Sequence, residues 1–246
     1  MPVHLRLAPA REGIRFFDGQ SWVKAAPENV TDTIRSTRLG EIGTVEHLMS
    51  ALAGCEITDL DVLVDGGELP ALDGAAQTYV AQIMAAGFES VGSLEVTGPF
   101  ARVFTHESES SVAVAKGAGH WTYRFVNEAR WPFRQEVEFL DIVSAYAAEI
   151  APARTWGFES ELPAIKAAGL AQGLSMDQAL VLGSDGYVNE ARFPDEPTRH
   201  KVLDLIGDLY LSGVPIRALS VVAERSGHKL NVEAAAKLAA SVSVLR

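Results

Sequence analysis

His200, Asp204 and Asp208 lie four residues apart, and at about 100° per residue they share one narrow stripe of a helix over residues 196–212. An imidazole and a carboxylate at i, i+4 point the same way and can share one metal ion. Pro197 suits the first turn of such a helix and Gly213 its C-terminal stop. Val202, Leu205, Ile206 and Leu209 fall on the opposite side, so the commonest meaning of the polar stripe is a wet face. Gly207 borders the stripe at a cost of about 1 kcal/mol relative to Ala, which points to a close approach to the backbone there. One His-x-x-x-Asp pair is a weak signal until the chain supplies a third ligand.

His47 is the candidate third ligand. It sits beside Glu46 in the first turn of a helix that Thr44 can N-cap and that stops near Gly54. Alone, His47 is balanced between a hydrogen-bonded core histidine and a ligand. With His200 and Asp204 it makes two imidazoles and one carboxylate, a set that leaves a position open for water on zinc. Glu46 cannot share the direction of its neighbour, so it is a candidate general base near the metal; taken alone it reads as a carboxylate favoured by the helix dipole. His228 follows Ser226-Gly227 in a turn after a strand, either facing a cleft or simply exposed. Asp208 either holds an imidazolium or faces water. Thr155 and Lys201 are indistinguishable from surface residues on this reasoning, and His4, His106 and His120 read as structural or exposed. The chain has no Gly-rich phosphate loop, no Gly-x-Ser-x-Gly elbow and no dinucleotide fingerprint. Spacing alone therefore reaches a candidate zinc hydrolase.

The elements that must carry these residues follow from periodicity. Strands are expected at 3–7, at 13–17 as a hairpin partner of the first, and at 60–65, with a helix over 75–86 ended by Gly87. Gly98-Pro99 is the best domain boundary. Beyond it come strands at 100–104, 111–115, 121–126, 136–140, 179–182 and 216–223. Helices are expected at 142–150 and 160–168, and a closing helix is capped by Asn231. Both parts, 1–97 and 98–246, place strands before helices, which predicts an α+β fold of two similar two-layer sandwiches.

Composition bounds the partners. The 246 residues are 48% hydrophobic and 22% charged, enough for a sizeable core. A net charge of −11 argues against nucleic acid or an anionic membrane as the main partner, though it allows a local basic pocket for a phosphorylated ligand. Cys55 is the sole cysteine, so no internal disulfide forms. The opening Met1-Pro-Val-His-Leu-Arg has no apolar signal core, and no apolar run approaches the roughly 18 residues of a membrane span. The expected setting is cytoplasmic, and oligomeric state is not legible.

Five stretches also carry a resemblance: Thr44-Val-Glu-His-Leu-Met-Ser-Ala-Leu-Ala-Gly54, the loop from Glu68 to Gly74, Arg154-Thr-Trp-Gly-Phe158, Arg199-His-Lys-Val-Leu-Asp-Leu-Ile-Gly-Asp208 and Ser226-Gly-His-Lys-Leu-Asn231. In this order they resemble the UDP-3-O-acyl-N-acetylglucosamine deacetylases, the zinc enzymes of lipid A synthesis, over almost the whole chain. The resemblance implies two α+β sandwich domains with the active site at their interface, and zinc bound by His47, His200 and Asp204. It implies Glu46 as general base, His228 as general acid or electrostatic stabiliser with Asp208 as its partner, and Thr155 as oxyanion donor. Lys201, Trp156 and Phe158 would contact substrate, a UDP-linked acylated amino sugar. Residues 158–182 resemble the family insert that lines an acyl passage, with Phe158, Leu170, Leu174 and Val181 as lining groups.

Three departures touch substrate shape more than metal chemistry. The family's opening strand, with its Gly-x-Gly-x-His loop, has no counterpart before Met1, as in a shortened paralogue. Trp156 replaces the usual Phe of its motif, and Arg130-Trp-Pro-Phe133 stands where the family tends to have His-Pro. Two rival readings follow: a paralogue acting on another acetylated sugar or amide, and an idle sugar-nucleotide-binding or regulatory protein.

Overall fold

A computed structural model describes residues 3–6, 13–90, 92–167 and 176–245. Strands β1 (Val3–Arg6), β2 (Ile14–Phe17) and β3 (Trp22–Lys24) come first, then the short β4 (Val30–Asp32) and β5 (Arg38–Leu39). Helix α1 (Glu46–Gly54), strand β6 (Leu60–Val64) and helix α2 (Gln77–Ala86) follow. Next are β7 (Glu95–Thr97), β8 (Val103–Glu107), β9 (Ser110–Lys116), β10 (Trp121–Val126) and β11 (Arg134–Phe139). Helix α3 (Ile142–Ala145) runs into a π-turn at Tyr146–Ile150. Then come β12 (Trp156–Phe158), α4 (Leu162–Ala167), β13 (Leu180–Leu182) and α5 (Glu196–Tyr210). The last elements are β14 (Leu219–Glu224), α6 (His228–Ser241) and β15 (Ser243–Leu245). The fold is α+β, as expected.

A four-stranded sheet is ordered β1-β6-β2-β3 and a five-stranded one β11-β10-β14-β9-β8. The expected hairpin between the first two strands is not formed. Both pair with β6 instead, β1 antiparallel and β2 parallel. Being central, β6 is buried along nearly its whole length, and its one charge, Asp61, accepts a hydrogen bond from Arg15 Nε at 2.9 Å. The larger sheet follows strict alternation: Trp121, Tyr123 and Phe125 of β10 face inward, as do Leu219, Val221 and Ala223 of β14. Its edge strand β8 begins at Val103 rather than Phe100, which has a positive φ that breaks the extended run.

Helices α5 and α6 pack on the larger sheet. Helix α5 packs against α1, α6, β10 and β11, and most of the buried apolar residues form one core drawn from both sheets. The wet face that such a stripe most commonly means is not found on α5, because His200, Asp204 and Asp208 are all buried. Amphipathic periodicity locates a polar stripe but does not say whether solvent or another helix covers it. Here α1 covers it. A Cβ on Gly207 would collide with the carbonyl oxygen of Glu46, so the missing side chain is what lets the two helices meet.

Two expected caps are corrected. Thr44 has a positive φ, and its hydroxyl donates to Glu68 Oε1 at 2.7 Å; Val45 occupies the N-cap position of α1. The last helix begins at His228 with Gly227 before it, so Asn231 lies inside the helix and His228 is not on a loop. The close helix contact generates a prediction: Gly207→Ala should lose at least about 1–3 kcal/mol of stability, the usual scale of overpacking. Chemical denaturation of the two proteins side by side checks this, and equal midpoints and slopes would contradict it.

Candidate active site

Because α1 starts where α5 passes closest, the first turn of α1 projects Glu46 and His47 at the buried stripe of α5. The rings of His47 and His200 stand perpendicular, 5.1 Å between centroids. Asp204 Oδ1 lies 3.6 Å from His47 Nε2 and 3.4 Å from His200 Nε2, and this buried oxygen has no hydrogen-bond partner. An orphaned carboxylate oxygen facing two imidazole nitrogens is costly unless something else satisfies it. Ligand atoms held at about 2.0–2.1 Å from a tetrahedral ion lie roughly 3.3–3.4 Å apart, so the three groups fit a single metal ion. His200 Nδ1 lies 3.1 Å from the carbonyl oxygen of Ala153; donating its proton there leaves Nε2 as a free lone pair. Burial pushes the His200 pKa down to about 4, which keeps the ring neutral as a ligand must be.

On the other side of this trio lies a second cluster. Glu46, Asp204 and His228 also bring their polar atoms within 4.8 Å of one another. His228 Nδ1 is 3.0 Å from Asp208 Oδ2, which also accepts from Asn231 Nδ2 at 2.9 Å. Burial works against a charged His228, but the Asp208 carboxylate, with Asp204 and Glu46 behind it, outweighs burial and pushes the pKa up to about 9. Desolvation raises the Glu46 carboxyl above its ordinary value, and Asp208 and Asp204 add to the effect against the imidazoles. A raised carboxyl and a protonated imidazole are the pairing that acid–base catalysis needs. Burial would also raise Asp204, yet His200 and Lys201 hold it well below the usual carboxylate range. The Lys201 ammonium donates to Asp204 Oδ2 at 2.9 Å and sits 5.9 Å from the ring centroid of Trp156.

Thr155 is fixed through its backbone. Its N–H donates to Gly74 at 2.7 Å, its carbonyl accepts from Leu180 at 2.8 Å, and nearby Ala76 N–H donates to Ala151 at 3.0 Å. Gly74 has a positive φ, and a Cβ there would collide with the Gln178 carbonyl, so the loop from the first sheet's side fits flush on the later segment. Two residues before Thr155, Ala153 supplies the acceptor for His200. Between them Arg154 binds Glu196, the first residue of α5, in a buried pair of 2.9 Å. Trp156 stacks edge-on with Phe125 and Phe158. Phe158 itself is buried with Leu180 and Leu182 in a small separate core, with Arg130 over its ring at 4.6 Å. Val181 is likewise buried on β13, while Leu170 and Leu174 fall outside the described residues.

Four groups that position the site were missed from sequence: Thr37, Asn231, Arg154 and Glu196. Glu196 carries a signal in retrospect, as an acidic residue before Pro197 at a helix start. Thr37 carries none, since its hydroxyl's partner, Asp208, is 171 residues away and no local pattern ties its N–H to Glu46. His4, His106 and His120 are exposed and lie away from this cluster, as expected.

Two imidazoles and a carboxylate around one point, beside a carboxyl of raised pKa and an imidazole–carboxylate pair, define a class: proteins whose buried centre can hold a metal ion and pass protons next to it. The comparisons specify which. The family model described as LpxC, UDP-3-O-acyl N-acetylglycosamine deacetylase, matches residues 1–240, and the chain belongs to that family. It is 38% identical to a UDP-3-O-acyl-N-acetylglucosamine deacetylase of Acidithiobacillus ferrooxidans, covering 92% of this chain and 78% of that one. It is 33% identical to the protein of that name from Trichormus variabilis, over 96% and 91% of the two chains. The Myxococcus xanthus protein of that name is 37% identical over 92% and 76%.

Both groups of side chains could hold a metal ion, and which of them are ligands can be tested on the metal alone. His200→Ala should lose its metal on dialysis against a mild chelator, whereas Glu46→Gln should hold one ion per chain and lose activity by about 10²- to 10⁴-fold. Elemental analysis with a rate assay checks both. Loss of metal from Glu46→Gln would make Glu46 a ligand.

Proposed function

We propose that this protein hydrolyses the N-acetyl group of a UDP-linked, 3-O-acylated N-acetylglucosamine, the deacetylation that belongs to lipid A synthesis, with one zinc ion held by His47, His200 and Asp204. The observation that carries the reading is the orphaned Asp204 Oδ1 set between two imidazole nitrogens, with Glu46 and His228 within reach. An idle binding protein has no use for that whole arrangement. We further propose that the chain divides near residues 97 and 98 into two α+β sandwiches that meet at the site. No helix among the described residues is long and apolar enough to cross a membrane. A cytoplasmic setting suits a chain whose sole cysteine is Cys55.

When bound, zinc supplies a Lewis acid that lowers the pKa of water and polarises the amide carbonyl. Glu46, ionised, accepts the proton of the attacking water as its oxygen bonds to the acetyl carbon. Thr155 donates its hydroxyl to the carbonyl oxygen as negative charge grows there. His228 begins protonated and, held by Asp208, gives its proton to the sugar nitrogen as the C–N bond breaks. Acetic acid and a free amine result; the acid gives its proton to solvent as it leaves as acetate, and the proton on Glu46 passes to His228, which restores both groups to their starting charge. Lys201, steadied by Asp204, and Trp156 beside it line the substrate side.

Two outcomes test this reading. The acid form of His228 disappears as pH rises through its raised pKa, so activity should fall on the alkaline side. Asp208→Asn removes the anion that raises that pKa, and the alkaline limb should move to lower pH along with an overall drop in rate. A limb that stays in place would take His228 out of the proton-donating role. Substrate preference is the second test. Each buried methylene is worth roughly 0.8 kcal/mol, so an acyl chain seated along residues 158–182 should raise kcat/KM by about 10²-fold or more over unacylated UDP-N-acetylglucosamine. Equal kcat/KM for the two sugars would show that no acyl passage operates.

A further inference from the structure

One buried residue touches both halves of the acid–base machinery. Thr37, fully buried, donates its backbone N–H to Glu46 Oε2 at 2.9 Å and its hydroxyl to Asp208 Oδ1 at 2.5 Å. Its carbonyl is fixed too, accepting the N–H of Val45 at 3.1 Å, the residue just before α1. Thr37 is therefore locked in place by the start of the helix whose first side chain it holds. The hydroxyl has a defined direction, because an ionised carboxylate can only accept. Asp208 then has Thr37 on one oxygen and His228 with Asn231 on the other, so the carboxylate cannot rotate without breaking a buried bond. A carboxylate oxygen left unpaired in such a site is expensive.

We infer that Thr37 is a positioning residue for the reaction: its N–H and its hydroxyl clamp Glu46 and Asp208 at a fixed separation, and through Asp208 they aim the imidazole of His228. This rests on the deacetylase reading for the meaning of Glu46 and His228, but the clamp is a property of the fold. Two anionic groups that would otherwise repel are tied to one small residue, each by its own donor. The base and the acid are then held close to one another in one geometry, their polar atoms within 4.8 Å. Loss of that geometry affects the chemical step more than binding, because Thr37 is too deeply buried to touch substrate.

The test compares Thr37→Ser, Thr37→Ala and Thr37→Val in the zinc-loaded protein, with metal content and thermal midpoint measured on each. Thr37→Val keeps the shape and the backbone donor but loses the hydroxyl; Thr37→Ser keeps the hydroxyl. We expect kcat to fall about 10- to 100-fold in the Val and Ala variants, with KM within about threefold. Thr37→Ser should stay within about fivefold of the parent in kcat. The low-field ring N–H proton signal of His228, assigned by its loss in His228→Gln, should persist in Thr37→Ser and vanish in Thr37→Val. Parental kcat and an unchanged His228 signal in Thr37→Val would overturn the inference. So would a Thr37→Ser protein as slow as Thr37→Ala, and that pair decides if the Val variant does not fold. Should the parent protein prove inactive on the acetylated sugar nucleotide, the deacetylase reading fails, and the His228 signal alone decides the clamp.

Discussion

The structure depends on how closely the backbone of α5 can approach the start of α1. At Gly207 no side chain intervenes, and the carbonyl of Glu46 occupies the space a Cβ would need. That contact sets the height of Glu46 and His47 over His200, Asp204 and Asp208. It also seals the stripe from water, so groups that would be modestly charged on a surface become strongly coupled. A helix gives up about 1 kcal/mol of intrinsic stability to carry the glycine, and the gain appears as a site in which every ionisable group feels its neighbours.

Such burial is tolerated because nearly every charge has a designated partner. Asp208 accepts from three donors, and Asp204 is bound by Lys201 on one oxygen. The ion pair of Arg154 with Glu196 does similar work a turn away, since it fixes the carbonyl of Ala153 beside His200 and the first residue of α5 at once. Removing one partner of a buried pair leaves an uncompensated charge, so these groups act as a unit. The exception, Asp204 Oδ1, is informative because the rest of the network is so well satisfied. The orphan marks where something outside the chain belongs.

Much of this was legible in the sequence, for reasons that can be named. The four-residue spacing of His200 and Asp204 fixed their common direction, and the odd glycine beside them signalled a close neighbour. Whether solvent or another helix covers them was not legible, because periodicity describes one helix and says nothing of what lies on it. Thr44 and Asn231 looked like caps by residue type, yet tertiary partners had taken both: Glu68 the first and Asp208 the second. Thr37 was invisible because its bond to Asp208 spans 171 residues, and no local rule links them. The strand order failed for a related reason: β1 and β2 are adjacent in sequence but are separated by β6, which arrives only after α1.

The flush seat of the Gly74 loop has a consequence for how such a protein can change over generations. Residues 74–76 hold the backbone of 151–155, which in turn carries the acceptor for His200 and places Thr155. Glu46 and His47 come from the same early part of the chain, and His200, Asp204 and His228 from the late part. No contiguous piece therefore owns the chemistry. Recombination that swaps self-contained modules between genes would inherit only part of this buried cluster, so new specificity is reached more readily by altering its edge, around Lys201 and Trp156, than by exchanging its parts.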